Sequence, residues 1–332
     1  MLVKVGCCVA LLFFTVAATL STEASKSEDG TYPYNSLVVP MTVEAAKLFV
    51  SSCLLTLSMS RDEKPTISFS PGKFAIYVLP ALCYFVSNNC MFFVILELGP
   101  STFQIMSNLK VLATAILMRI FLRVKLNWLR WKALILLILG SVVTQMSSGE
   151  LDRNRNSAKG YVLVFINCFA SAAGGVISEK LLKGNALSAV DSIHWQNVQL
   201  YFFGLVFGLV GSWSMFGVDN ERGMFDGFNS WAYFTVASLT TAGLLVSFIL
   251  KYLDNFAKCF VAAVSIIFVA VIHAVMRDEV LHLNVVVGIA LTCMALEQYN
   301  MPQFSESYEG EGNGKAVNVY VSKAGLVKYL AG

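Results

Sequence analysis

Charge is what this sequence has least of: Asp, Glu, Lys and Arg make up 14% of 332 residues, against about 25% in soluble domains. With 56% of its residues apolar, such a chain does not bury its apolar surface in one core but uses lipid as solvent. The net charge of +3 leaves nothing from which to argue nucleic-acid binding. The three histidines, His194, His273 and His282, are scattered and form no ligand cluster. The apolar runs hold neither an HExxH nor a DxxD arrangement, so no metal or cofactor is expected. A multi-pass transferase would also lack its carboxylate pair or its base. None of the eight cysteines forms a CxxC pair, which argues against a disulfide framework or zinc. Cys7 and Cys8 are read as small apolar residues or as acylation sites near a membrane surface. No N-x-Ser/Thr acceptor occurs.

What the sequence has in quantity is long apolar runs. Residues 1–20 carry Lys4, an apolar stretch and then Ala17-Ala18-Thr19-Leu20-Ser21. That pattern suits a signal peptide or a first membrane helix, and the many later runs favour the helix. Further runs lie near 36–58, 73–96, 101–122, 129–146, 160–182, 194–216, 230–252, 256–276 and 281–300. The expected fold is an all-α membrane protein of ten transmembrane helices. It is organised as one transporter domain over 1–300, with a mobile cytosolic tail over 301–332.

The lysine and arginine bias orients it. Of the 24 Lys and Arg, fifteen fall on the side that would hold the N-terminus and six on the other; Lys47, Lys110 and Arg119 lie within runs. The positive-inside rule then puts both termini in the cytosol, with the cluster from Arg153 to Lys159 as the one opposing loop. Ten spans with both ends on one side divide into two halves of five, about 1–146 and 160–300. Five is odd, so the halves must be inverted, a common plan for secondary transporters with the substrate between them. No clear sequence repeat accompanies that inference. Small-xxx-small faces such as Gly204 and Gly208 serve intrachain packing or a homo-oligomer equally well.

Polar residues inside the runs are the candidate site. Phe103, Ser107, Lys110 and Thr114 share one helical stripe, with Gln104 and Asn108 on its shoulder. A lysine there costs about 2.5–3.5 kcal/mol at mid-membrane unless it faces a cavity or partner. Lys110 is therefore either a cation awaiting an anion or a side chain snorkelling to headgroups. Asn88 and Asn89 suit a base or ribose edge, or interhelical hydrogen bonds. Asn197 and Tyr201 offer an amide and a ring for a base, or an interfacial aromatic. Glu44 and Lys47, three apart, can pair as a structural or gating couple. On a continuous helix Lys251 can likewise pair with Asp254, which leaves Lys258 free. Lys110 and Lys258 fall in corresponding spans of the two halves and together suit a ligand with two negative charges.

Six collinear stretches carry a resemblance: YNSLVVPMTVEAAK (34–47), YFVSNN (84–89), PSTFQIMSNLK (100–110), GGVISEKLLK (174–183), HWQNVQLYFFG (194–204) and GLLVSFILKYLDNFAK (243–258). Together they resemble the nucleotide-sugar transporters, most closely the plant-type members of the CMP-sialate and UDP-galactose branch. The resemblance implies a drug/metabolite transporter fold in the Golgi membrane. It also implies antiport of a cytosolic pyrimidine nucleotide sugar against a lumenal nucleoside monophosphate. On that reading Asn88 and Asn89 contact the nucleotide, and Lys110 and Lys258 meet its phosphates. Ser171, Gly175, Asn197 and Tyr201 line the base and ribose pocket. Phe103 stands where the family usually has Tyr, so stacking survives and a hydroxyl contact is lost. Ile177 and Ser178 replace an aromatic pair before Glu179. A carrier of the same fold for another solute is the alternative.

Overall fold

The computed structural model describes residues 2–300 apart from 28, 30, 31, 36, 37, 61–66, 68, 99, 125, 147–157, 184–190, 217–224 and 277–282, and beyond 300 only three short strands. Arg61, Lys64, Lys125, Arg153, Arg155, Arg222 and Arg277 therefore lie outside the described residues, as do the Gln104 and His273 side chains and the tail glycines.

Among the described residues, twelve helices follow the apolar runs. They are α1 (Leu2–Ala24), α2 (Val38–Ser60), α3 (Pro71–Ile76), α4 (Val78–Leu98), α5 (Pro100–Ser107) and α6 (Leu109–Phe121). There follow α7 (Trp128–Met146), α8 (Ala158–Lys183), α9 (Ile193–Phe216), α10 (Ser230–Tyr252), α11 (Asn255–Met276) and α12 (Leu283–Asn300). Among the described residues, six helices are long and apolar enough to cross a membrane: α1, α2, the α3–α4 run, α8, α10 and α11. Their outer faces carry large apolar side chains in the open, Phe13, Phe49 and Val162 among them, which suits a lipid solvent and not water. In the tail, β1 (Gln303–Phe304), β2 (Val319–Val321) and β3 (Val327–Tyr329) pair antiparallel in that order, an element the helical reading did not include.

Sequence chemistry explains where the helices break. Pro80 has no N–H to give the Ile76 carbonyl, and its ring crowds that carbonyl, so the helix stops at Ile76 and restarts at Val78. The Tyr77 N–H turns back to Phe74 O at 3.2 Å. Asn108 separates α5 from α6 while keeping helical angles, φ −64° and ψ −20°. Asn229 starts α10, with its side-chain oxygen accepting from Ala232 N at 2.9 Å. Between α10 and α11 the chain leaves the helix at Leu253, with φ −123° and ψ −125°. Asp254 then caps α11 by accepting from Ala257 N at 2.9 Å. That break corrects the expected Lys251–Asp254 pair. The two residues do not share one continuous helix, and the Asp254 carboxylate is turned onto the backbone.

Packing brings α7 against α12, α4 against α8, α1 against α10 and α2 against α9. A buried polar chain ties α1 to α10: Thr235 Oγ1 donates to Ser21 Oγ at 2.8 Å, and Asn229 Nδ2 donates to Ser25 O at 2.9 Å. Ser25 Oγ also meets Tyr34 OH at 2.7 Å. Small residues set the closest contacts. A methyl group on Gly140 would stand 2.7 Å from Thr292 Oγ1 and 3.1 Å from the Gly288 carbonyl. The carbonyl is backbone and cannot yield, so Gly140→Val forces α7 off α12. The expected cost is about 1–3 kcal/mol, read as a lower unfolding temperature of the detergent-solubilised protein. An unchanged unfolding temperature would show that the helices part without loss.

Candidate functional site

A cavity of about 280 Å³ opens between α2, α4, α8, α9, α10 and α11. Its polar lining includes Glu44 and Lys47 from α2, Tyr84, Asn88 and Asn89 from α4, Ser178 from α8, Tyr201 from α9, Ser247 from α10 and Lys258 from α11. Lys47 Nζ meets Glu44 Oε1 at 2.5 Å and sits 4.5 Å from the centre of the Tyr201 ring, in reach of a cation–π contact. Tyr201 is held in turn by Ser247, with OH to Oγ 2.9 Å. Asn89 Nδ2 donates to Phe85 O at 2.8 Å, leaving its side-chain oxygen for other partners.

Two glycines make room for the ion pair. A Cβ on Gly204 would come 2.8 Å from Glu44 Oε2, and one on Gly243 would come 2.7 Å from Lys47 Cδ. Gly204 and Gly208, read from the sequence as a packing face, thus also border the cavity. Gly175 makes room in the same way for Asn255 and Lys258 beside α8. A Cβ there would stand 2.7 Å from Asn255 Nδ2 and 3.0 Å from Lys258 Nζ.

Lys258 has no carboxylate within ion-pair distance among the described residues. Glu179, which lies within its electrostatic reach, is engaged elsewhere. Its Oε1 accepts from Lys183 at 2.5 Å and its Oε2 from the Asn255 backbone N–H at 2.9 Å. Lys110 is half-buried at the start of α6, within electrostatic reach of Lys258 and of the thiols of Cys259 and Cys168. The two cations therefore stand close to each other although only Lys258 borders the cavity.

The remaining expected residues divide. Asn197 is buried on α9, 1% exposed, and neither amide atom has a hydrogen-bond partner among the described residues. Asn255, 0% exposed, shares that condition. A buried amide without partners costs about 1–3 kcal/mol for each unmet group. Phe103 packs into an apolar cluster with Val94, Leu98, Val164 and Cys168. Ser171 is half-buried on α8 and, like Phe103, Lys110 and Asn197, is absent from the cavity lining among the described residues. Lys251 is half-buried at the end of α10. Sequence reasoning passed over Ser178, Ser247, Gly243 and Asn255 as site residues. The last three lie inside the GLLVSFILKYLDNFAK stretch, whose lysines drew the attention.

The ion pair yields a test. Removing one member of a buried pair costs about 3–5 kcal/mol, and replacing both is often neutral. Lys47→Met should therefore lower the unfolding temperature clearly, and Glu44→Gln with Lys47→Met should recover most of it. A double variant no more stable than Lys47→Met would mean the pair is not the interaction lost.

Comparison with known proteins agrees with this architecture. The family model for nucleotide-sugar transporters matches residues 1–300. CMP-sialic acid transporter 1 of Oryza sativa subsp. japonica is 32% identical over 305 residues, covering 88% of this chain and 92% of that protein. The Arabidopsis thaliana CMP-sialic acid transporter 1 is 32% identical over 309 residues, 89% of this chain and 88% of the relative. The UDP-galactose translocator of Mus musculus is 33% identical over 232 residues, 68% of this chain and 58% of the translocator. One crystal structure, at 10% identity, superposes with a TM-score of 0.66 over 89% of this chain and 96% of its own, and shares the fold. These relatives are named as transporters and translocators, not enzymes. The chain is a multi-pass membrane protein and belongs to the nucleotide-sugar transporter family.

Proposed function

We propose that this protein is an antiporter of the Golgi membrane, exchanging a cytosolic pyrimidine nucleotide sugar for a lumenal nucleoside monophosphate. The observation that carries the reading is the pair of lysines, Lys258 bordering the polar cavity and Lys110 within electrostatic reach of Lys258, with no carboxylate paired to either among the described residues. A pyrophosphate or phosphate dianion offsets both. An empty carrier leaves two like charges facing each other in a low-dielectric site, where each is expensive to hold. Occupied forms then reorient more readily than the empty one, which couples inward and outward movement. Asn88, Asn89, Asn197 and Tyr201 supply the amides and ring that a pyrimidine and ribose need, and Ser171 and Gly175 leave space beside them. The printed names of the relatives, CMP-sialic acid and UDP-galactose, supply the substrate class.

The packing supports ten spans in two inverted halves; that both termini are cytosolic rests on the lysine and arginine bias of the sequence. Taking α3 with α4 and α5 with α6 as single runs, the first half is α1 to α7 and the second α8 to α12. Contacts then recur in exchange: α4 lies on α8 as α10 lies on α1, and α6 meets α8 as α11 meets α1. Likewise α10 meets α2 as α4 meets α9, while α2–α9 and α7–α12 pair helices in equivalent places. A cavity between halves related in this way suits alternating access.

The deciding experiment is exchange in proteoliposomes preloaded with CMP, UMP or GMP and offered labelled CMP-sialate, UDP-galactose, UDP-N-acetylglucosamine or GDP-mannose. Uptake is expected only with one preloaded pyrimidine monophosphate, and Lys110→Ala or Lys258→Ala should reduce it to the protein-free level in folded protein. Uptake indifferent to the preloaded nucleotide would remove the antiport reading.

A further inference from the structure

Between Ser101 and Gly149 the chain has no aspartate or glutamate. Within that stretch the turn joining α6 to α7 carries Arg119, Arg123, Arg130 and Lys132. Arg119 lies in the last turn of α6 and Lys132 in the second turn of α7, so all four sit at one end of the helix pair. Arg119, Arg123 and Lys132 are exposed, and none has a carboxylate within ion-pair distance among the described residues. Apolar side chains beside them are also open: Ile120 at 62%, Phe121 at 48% and Trp128 at 71%.

Arg123 is the informative residue. Its φ is +53°, and it is the one described residue other than glycine with positive φ. An L-residue with a side chain is disfavoured there, and glycine would fold the same turn more easily. A strained arginine in an exposed turn points to a use for its charge. Lys132 Nζ lies 5.3 Å from the Trp128 ring, and Arg130 lies 5.6 Å from the Tyr299 ring on α12. These aromatic contacts hold two of the cations at the level where tryptophan and tyrosine meet headgroups.

We propose that Arg119, Arg123, Arg130 and Lys132 hold the headgroup of an anionic phospholipid from the surrounding leaflet. The guanidinium groups meet phosphate oxygens in paired hydrogen bonds. Ile120, Phe121 and Trp128 lie against the acyl region below, which a soluble anion or a nucleic acid would leave uncovered. A general preference for one side of the membrane needs only the charge count; it does not call for an arginine in a conformation that favours glycine. The site rests on α6 and α7 crossing the bilayer and is separate from the transport cavity.

The test is native mass spectrometry of the full-length protein in detergent, titrated in turn with phosphatidylinositol 4-phosphate, phosphatidylserine and phosphatidylcholine. Retention of one anionic lipid is expected under conditions that strip phosphatidylcholine, with affinity falling about fivefold for each cation removed. Arg123→Gly removes one charge and the strain together. It should weaken lipid retention while its unfolding temperature stays the same or rises, an outcome that a structural role for the arginine does not predict. Arg123→Gly with Lys132→Gln should weaken retention further and leave nucleotide exchange in phosphatidylcholine vesicles as in the wild type. Equal retention of phosphatidylcholine, or unchanged anionic-lipid retention in the double variant, overturns the proposal. So does unchanged lipid retention coupled to altered delivery in cells, which would assign the cluster to a cytosolic protein. Loss of exchange in the double variant would overturn it too, by placing these residues in the transport path.

Discussion

The scarcity of negative charge inside the helices governs the rest of the molecule. Each described carboxylate near the cavity already has its partners. Glu44 holds Lys47, Glu179 holds Lys183 and the Asn255 N–H, and Asp254 caps α11. Once these anions are committed, Lys110 and Lys258 have no internal counter-charge left to them among the described residues. A cation so placed is costly unless it faces a cavity or a partner, and Lys258 borders the cavity.

Committing Glu179 and Asp254 to the start of α11 also fixes the site mechanically. One carboxylate arrives from α8 and the other from the preceding turn, and together they meet backbone donors that a helix start leaves open. The N-terminal turn of α11 is therefore anchored to α8 at Asn255, three residues before Lys258. Any motion of α11 that carries Lys258 must carry the α8 end with it or release Asn255 from Glu179. A second consequence concerns Gly175: its missing Cβ lets Asn255 and Lys258 press against α8, so a small residue, an amide and a cation form one wall.

Hydropathy made the helical runs legible to within a few residues, because lipid imposes a long apolar stretch whatever the local propensity. The breaks were harder. Pro80 announces the interruption at Ile76–Val78, yet the apolar pattern runs through it without a change. Leu253–Asp254 was misread for a similar reason: three-residue spacing pairs Lys251 with Asp254 only if the helix continues, and aspartate is as good a cap as it is an ion-pair partner. Glu44 with Lys47 was legible because both lie well inside α2. Asn255 was not, since its neighbours in sequence say nothing of the Gly175 and Lys258 atoms that surround it. Phe103 shows the converse limit, as its stripe position predicted a pocket face and its ring packs instead among Val94, Leu98 and Val164.

Asn197 and Asn255 carry the argument one step further. Each is buried with an amide that meets no partner, and Asn197 stands on α9 while Asn255 stands on α11 near Lys258. A fold evolved only for stability would replace such amides with Leu or Ala, which fill the space without an unmet hydrogen bond. Retaining them is costly in the empty protein and favourable once a ligand supplies the missing donors and acceptors. The same reasoning applies to Lys110 and Lys258, so the amides and the cations share one logic: each is a cost that packing alone does not repay.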